Sequence, residues 1–282
     1  MTQTWMISGV SSGIGRILAE KLTARGDSVV ALTRDPRKTE DLQQRYPEQF
    51  RPLQVDLRDT RGISAAVAEA FRLSGRIDRI VSNAGYGVFG AAEETSDQHL
   101  RDIIDTNLIG AIVLIRAALP YLRAQGGGRI LQVSSEGGQI AYPGFSLYHA
   151  SKWGIEGFVE SVAQEVRTFG IDFVLVEPGP TRTGFGGSLV RPASLAEYAD
   201  TPAAQLRQAF EEGSWVIKGD PVRMADAMLD AAGQPSPPLR LILGAEAHAG
   251  VSRALESRLA ELRNQQQSAT AADFSPEELA LY

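Results

Sequence analysis

The strongest constraint on this chain is a short apolar run followed at once by a glycine-rich turn. Thr4-Trp-Met-Ile-Ser8 reads as a first β-strand, Gly9-Val-Ser-Ser-Gly-Ile-Gly15 as the turn, and Arg16 to Arg25 as the helix that follows. Strand, glycine turn and helix in that order form a phosphate cradle. Glycine lets backbone N–H groups come close to a pyrophosphate, and the helix presents its positive end to it. The chain holds 28 glycines, so the spacing carries weight only because it follows a first strand. The spacing Gly-x-x-x-Gly-x-Gly also departs from the more widespread Gly-x-Gly-x-x-Gly fingerprint.

The rest of the sequence repeats the alternation. Strands are expected at Trp5–Ser8, Ser28–Thr33, Arg51–Asp56, Ile77–Asn83, Arg129–Ser134, Asp172–Pro178 and Leu239–Leu243. Helical spacing links Ile63, Val67 and Phe71, and again Leu108, Ile112 and Ile115. Alternating β and α signals predict an α/β fold, a doubly wound parallel sheet of Rossmann type with seven strands in a single domain. Ligands bind such sheets at the C-terminal strand ends.

Tyr148 and Lys152 lie four residues apart in Phe145-Ser-Leu-Tyr-His-Ala-Ser-Lys152, which places both on one helix face. A free phenol titrates at about 10 and is a poor acid or base at neutral pH. A nearby ammonium is expected to favour the phenolate and bring that value down. Of seven tyrosines, Tyr148 alone has a lysine at this offset.

Gly9, Gly13, Gly15, the Asn83-Ala-Gly85 turn, Ser135, Tyr148 and Lys152 together resemble the short-chain dehydrogenase/reductase family, from about Thr4 to Leu243. The resemblance implies a sheet order of 3-2-1-4-5-6-7 and reversible hydride transfer between a nicotinamide cofactor and a ketone or secondary alcohol. It assigns Tyr148 as proton donor and acceptor, and Lys152 to lower the Tyr148 pKa and bond the nicotinamide ribose. Ser135 donates to the developing oxyanion, and Asn107 holds a water in a proton relay. Ser134 is the rival of Ser135; strand alternation turns the two opposite ways, and the family's offset of thirteen residues before the tyrosine selects Ser135.

Cofactor contacts follow by the same resemblance. Ser11, Ser12, Gly13, Ile14 and Gly15 belong to the phosphate turn, Asp56 and Leu57 to the adenine site. Asn83, Ala84 and Gly85 run beside the adenosine ribose, while Pro178, Gly179 and Thr183 flank the nicotinamide, with Thr181 a second candidate. Charge argues for the type of cofactor. The second strand ends in Thr33 rather than a carboxylate and is followed by Arg34, Arg37 and Lys38, with Arg16 near the same end. A guanidinium binds a 2′-phosphate bidentately, so NADP(H) is expected.

Composition excludes several classes. The net charge of −6 disfavours broad nucleic-acid or anionic-membrane binding. There is no cysteine, so thiolate chemistry and disulfides are impossible, and the three histidines have no metal-ligand spacing; no metal is expected. The opening Met1-Thr-Gln-Thr lacks the basic and apolar parts of a leader, and no uninterrupted apolar run reaches membrane-spanning length, so a cytoplasmic protein is expected.

The catalytic domain is expected over residues 1–250, with a glycine-hinged flap at about 184–218, and a C-terminal helix and tail over 251–282. Leu255, Leu259 and Leu262 share a stripe of that tail, which is expected to dock and then loosen. Tyr86, Phe89, Glu136, Tyr142, Phe145 and Phe185 border the expected pocket, suited to a bulky apolar ketone or alcohol. Glu136 could recognise an amine or hydroxyl; the simpler expectation is that it faces solvent. A homodimer or homotetramer is expected through helices 96–124 and 146–168. Alternative readings are a dinucleotide-binding redox sensor on the same fold, or a scaffold using the tail helix.

Overall fold

The computed structural model describes residues 2–213 and 216–281. Ser214 and Trp215, inside the expected flap, and Met1 and Tyr282, at the ends of the two expected segments, lie outside the described residues. In chain order the elements are β1 (Thr4–Ser8), α1 (Gly13–Ala24), β2 (Ser28–Thr33), α2 (Glu40–Arg45), β3 (Phe50–Gln54), α3 (Thr60–Ser74) and β4 (Arg79–Ser82). Then come α4 (Asp97–Ile104), a π turn (Asp105–Ile109), α5 (Gly110–Ala124), β5 (Gly128–Val133), α6 (Ser146–Val166) and β6 (Ile171–Pro178). Next are α7 (Pro202–Glu211), α8 (Pro221–Gly233), β7 (Arg240–Leu243) and α9 (Ala245–Asn264), and two short helices, α10 (Gln266–Thr270) and α11 (Pro276–Leu279), follow.

All seven strands pair in parallel in the order β3-β2-β1-β4-β5-β6-β7. The order reverses between β1 and β4, each β1 residue Trp5, Met6 and Ile7 facing Arg79, Ile80 and Val81 in turn. Strand alternation divides the core in two. Met6, Ile80, Ile130 and Leu175 point to the face covered by α3, α5 and α6. Trp5, Ile7, Val81, Leu131 and Val176 point to the face covered by α1 and α8. Burial on both faces is why these strands read as unbroken apolar runs.

Some boundaries differ from expectation because side chains take over ladder bonds. β4 is shorter than Ile77–Asn83: Gln125 bonds both the N–H and the carbonyl of Ile77, and the Asn83 N–H donates to Ser8 Oγ. The helical run Asp97–Ala124 is continuous, and by length and composition it could cross a membrane. Here Ile103, Leu114, Ile115 and Leu122 of that run are buried in the core.

Between β6 and β7 the described part of the flap holds α7 and no strand. It is pinned rather than free: Val190 bridges to Val88, and Arg207 of α7 pairs with the buried Glu94 at 2.5 Å. The tail helix starts at Ala245, six residues before the expected Val251. Ala247 and Val251 are buried, whereas Leu255, Leu259 and Leu262 are 49%, 45% and 66% exposed. The first turns of α9 dock; the leucine stripe does not.

Candidate active site

The phosphate cradle forms where β1 meets α1. Gly9 has φ +74°, and a Cβ there would stand 2.8 Å from Ala84 Cα, so the turn and the β4 end touch backbone to backbone. The carboxamide of Asn83 donates to the carbonyls of Ser8 and Gly9 at 3.1 and 3.0 Å, tying β4 to β1. Ser12 occupies the N-cap of α1 without bonding its side chain to the helix, and Ser11 and Ser12 are exposed. An uncapped helix start, reached by a glycine turn, suits an anionic pyrophosphate. A Gly13 Cβ would lie 3.6 Å from Thr183 Cβ, so the turn faces the segment that follows β6.

Thr181 and Thr183 differ in placement. Thr181 Oγ1 donates to the Gly179 carbonyl at 2.7 Å and contacts Met224 Sδ at 3.1 Å, while its backbone bridges to Gly219. Thr183 Oγ1 only accepts a 3.3 Å bond from the Phe185 N–H, and its side chain stands toward the glycine turn. Asp56 accepts from Arg58 at 2.9 Å, and this guanidinium lowers its carboxyl pKa. The Leu57 carbonyl packs against Gly110.

The cations near the β2 end do not all remain available. Arg16 is held by Asp41 and, at 2.6 Å, by Glu20; Arg37 is held by Asp35 at 2.8 Å. Two of the expected phosphate-binding cations are thus neutralised locally. Arg34 is exposed, and its guanidinium makes no hydrogen bond or ion pair among the described residues.

At the ends of β4 and β5 four polar side chains converge. Lys152 is buried, donates from Nζ to the Val133 carbonyl at 3.0 Å, and lies 5.6 Å from the Tyr148 ring centre. The Ser135 hydroxyl accepts the Gly137 N–H at 3.0 Å and stands within hydrogen-bonding range of the Tyr148 phenol. Ser134 turns the opposite way, donating at 2.5 Å to Glu156. Asn107 sits in the π turn, an irregularity that recurs at functional sites. Its carboxamide oxygen accepts the Tyr86 N–H at 3.0 Å, and its nitrogen donates to the Tyr86 carbonyl at 2.8 Å and Ser151 Oγ at 3.2 Å. That side chain positions Tyr86 and Ser151, and its oxygen, accepting one bond, keeps a second lone pair. Gly85 lies beside both Asn107 and Lys152.

Electrostatics at this centre correct one expectation. Burial pushes the Tyr148 phenol up to about 12, only partly offset by Ser135. Burial brings Lys152 down to about 8, with Glu156 opposing the fall. Loss of solvent is the largest cause at both groups, and it moves the Tyr148 phenol upward, against the lowering expected from Lys152. The phenol keeps its proton at neutral pH.

Glu136 corrects a second expectation. It is 5% exposed, and the Tyr142 hydroxyl stands beside its carboxylate. Burial raises its pKa. His149, whose spacing in the sequence carries no metal signal, is the local brace. Its Nδ1 lies 2.8 Å from the Gly137 carbonyl, and its Nε2 accepts the Tyr142 N–H at 2.8 Å. The aromatic border is contiguous: Phe145 and Phe185 stand 6.1 and 5.8 Å from the Tyr148 ring, and Phe89 lies 4.9 Å from Phe145. Phe210 joins it, 5.2 Å from Phe89. Only the folding of α7 reveals Phe210, since the flap gives no periodic sequence signal.

Comparison with known proteins agrees with this layout. The short chain dehydrogenase family model matches residues 3–193. Oxidoreductase BOA17 of Botryotinia fuckeliana is 35% identical over 257 residues, covering 91% of this chain and 94% of that protein. Human 17-beta-hydroxysteroid dehydrogenase type 1 is 31% identical over 253 residues, covering 83% of this chain and 75% of that one. The crystal structure of a short-chain dehydrogenase from Streptomyces avermitilis superimposes with a TM-score of 0.88 at 35% identity, covering 96% and 98% of the two chains.

Proposed function

The chain belongs to the short-chain dehydrogenase family and is a nicotinamide-dependent oxidoreductase; from that premise we propose that it is an NADP(H)-dependent ketone reductase working through Tyr148. The observation that carries the proposal is the meeting of Tyr148, Ser135 and Lys152 at one end of the sheet, beside the uncapped start of α1. When bound, the nicotinamide supplies or accepts the hydride at the carbonyl carbon.

The chain's own residues handle the proton and the charge. A phenol held near 12 is protonated at neutral pH, so Tyr148 has a proton to give to the carbonyl oxygen. Ser135 donates a hydrogen bond to the same oxygen as charge grows on it. Lys152, anchored on the Val133 carbonyl, supplies positive charge that steadies the phenolate once the proton has left. Asn107 fixes Tyr86 and Ser151 and so holds the wall on the lysine side. Gly13, Ile14 and Gly15 hold the pyrophosphate, and Thr183 is the better placed of the two threonines to bond the nicotinamide carboxamide.

Preference for NADP(H) rests on Arg34, the arginine at the β2 end that forms no ion pair among the described residues, and on Thr33 in place of an acid. The aromatic border supports a bulky apolar carbonyl substrate. Consumption of NADPH over a panel of aryl and alicyclic ketones tests the proposal. Wild-type protein is expected to reduce part of the panel, and Tyr148→Phe is expected to lose at least about a hundredfold in kcat while still binding NADPH. A variant that keeps most of its turnover would assign the proton to another group.

A further inference from the structure

Glu136 is a buried carboxylate that forms no ion pair among the described residues. Its hydrogen-bonding neighbour is the Tyr142 hydroxyl; Glu246 of α9, of the same sign, raises its pKa further, while Arg253 acts on Tyr142. Glu246 is itself engaged by Lys218 at 2.7 Å. A side chain 5% exposed and so poorly compensated is expensive to keep unless something else completes its hydrogen bonds.

Its position says what that something is. Glu136 directly follows Ser135, whose hydroxyl reaches the Tyr148 phenol, and it is close enough for its charge to raise the Tyr148 pKa. One carboxylate oxygen lies 3.6 Å from where a Gly179 Cβ would stand, on the segment assigned to the nicotinamide. A side chain at 179 would also meet Ala247 of α9 at 3.0 Å, so glycine there keeps the α9 side of Glu136 close-packed. Tyr142 is held from behind by His149 through its N–H, and its hydroxyl lies 3.9 Å from a Gly250 Cβ position. The aromatic side chains Phe145, Phe185 and Phe89 cluster around Tyr148, whereas the Glu136–Tyr142 pair packs beside Gly179 and the start of α9.

We propose that Glu136, held by Tyr142, is a specificity-determining polar subsite that accepts a hydrogen bond from a hydroxyl or protonated amine close to the reacting carbonyl. The inference rests on the ketone-reductase reading above. The favoured substrate is then an amphipathic hydroxy- or aminoketone, its apolar body against the phenylalanines and its donor on Glu136. A site built to satisfy a substrate donor rejects the analogue that lacks it, because the protein group is left buried and unpaired.

The test uses three matched compounds: an aryl alkyl ketone, its α-hydroxy derivative and its α-amino derivative. Wild-type protein with NADPH is expected to favour at least one donor-bearing ketone over the plain one by roughly tenfold or more in kcat/KM. Glu136→Gln and Glu136→Ala are expected to collapse that ratio, chiefly through KM. The hydroxy and amino arms separate the two donors: an amine loses more than a hydroxyl in Glu136→Gln, which removes charge but keeps shape. A ratio near one in the wild type, or the same ratio in wild type and variants, overturns the inference. If no ketone is turned over, the ketone-reductase reading fails, and the subsite is read by calorimetric titration of the corresponding amino alcohol, diol and plain alcohol into the NADP-loaded protein. Binding that ignores both the donor and Glu136 overturns the subsite as well.

Discussion

Arg240→Met is expected to destabilise the protein by about 3 kcal/mol, the lower end for orphaning buried carboxylates. Arg240 reaches from β7 across two neighbouring elements. Its Nη1 bonds Glu156 at 2.6 Å and also Glu177, while Nη2 bonds Glu160 at 2.7 Å. The Glu156 and Glu177 side chains are 3% and 0% exposed, against 29% for Arg240 itself. Methionine keeps much of the stem but leaves both acids without a cation. Water reaching the partly exposed position offsets some of the loss, hence the lower figure. For a chain of this size that loss lowers Tm by roughly 6 to 12 °C. The sign of the pH dependence follows from Glu177. Burial first, then the neighbouring Glu156, raises its folded pKa above the usual carboxyl value. A carboxyl with a raised folded pKa contributes stability at low pH and loses it as pH rises through that value. Removing Arg240 raises it further, so the deficit should widen as pH rises from the usual carboxyl range toward neutral. Thermal melts of both proteins at equal concentration across that range read it directly. A deficit below about 1 kcal/mol, or one that does not change with pH, would show that the guanidinium does not hold these acids.

Three further outcomes are expected. Arg34→Ala should weaken NADPH binding by about tenfold while leaving NADH binding nearly unchanged, as fluorescence titration of each cofactor would show; equal losses would remove Arg34 from the phosphate site. Gly9→Ala should lose soluble folded protein or dinucleotide binding altogether, since it combines φ +74° with 2.8 Å contacts to Asn83 Nδ2 and Ala84 Cα; a variant with wild-type melting and cofactor affinity would contradict the close packing of β1 on β4. Leu100, Ile109 and Trp153 are exposed on the α4–α6 side, and we propose that they meet a second copy; light scattering near 30.4 kDa, the mass of one chain, would exclude this.

The sheet was legible in the sequence because strands buried on both faces leave long apolar runs, and the glycine turn marks where the first of them ends. Register and ends were less so. Ile77 looks like a strand residue, yet Gln125, far along the chain, takes its backbone bonds. No local pattern announces a partner at that separation. Charge was legible only in part. Arg16 reads as a phosphate ligand from its place after Gly15, but Asp41, brought near by α2, pairs with it. Glu136 reads as a surface acid because it follows a strand in a polar turn; only the packing of Gly179 and α9 against it reveals its burial. Phe210 was invisible for the same reason, since the flap must fold before α7 can set it on Phe89.

The two serines at the end of β5 show how a single strand end serves both stability and chemistry. Alternation turns Ser134 toward Glu156, and through Glu156 it joins the network of Arg240, Glu177 and Gln139. The next residue, Ser135, turns toward Tyr148. Lys152 stands between the two, hydrogen-bonded to the carbonyl of Val133 just upstream and one helical turn before Glu156. Glu156 opposes the fall in the Lys152 pKa that burial causes. The structural network thereby helps the lysine keep its charge below about pH 8. Slipping β5 by one residue would move one serine into the other's place, leaving either Tyr148 without its hydroxyl neighbour or Glu156 without its donor, according to the direction of the slip. The register Leu131↔Val174 and Val133↔Val176, set by apolar residues in the core, therefore fixes which hydroxyl faces Tyr148.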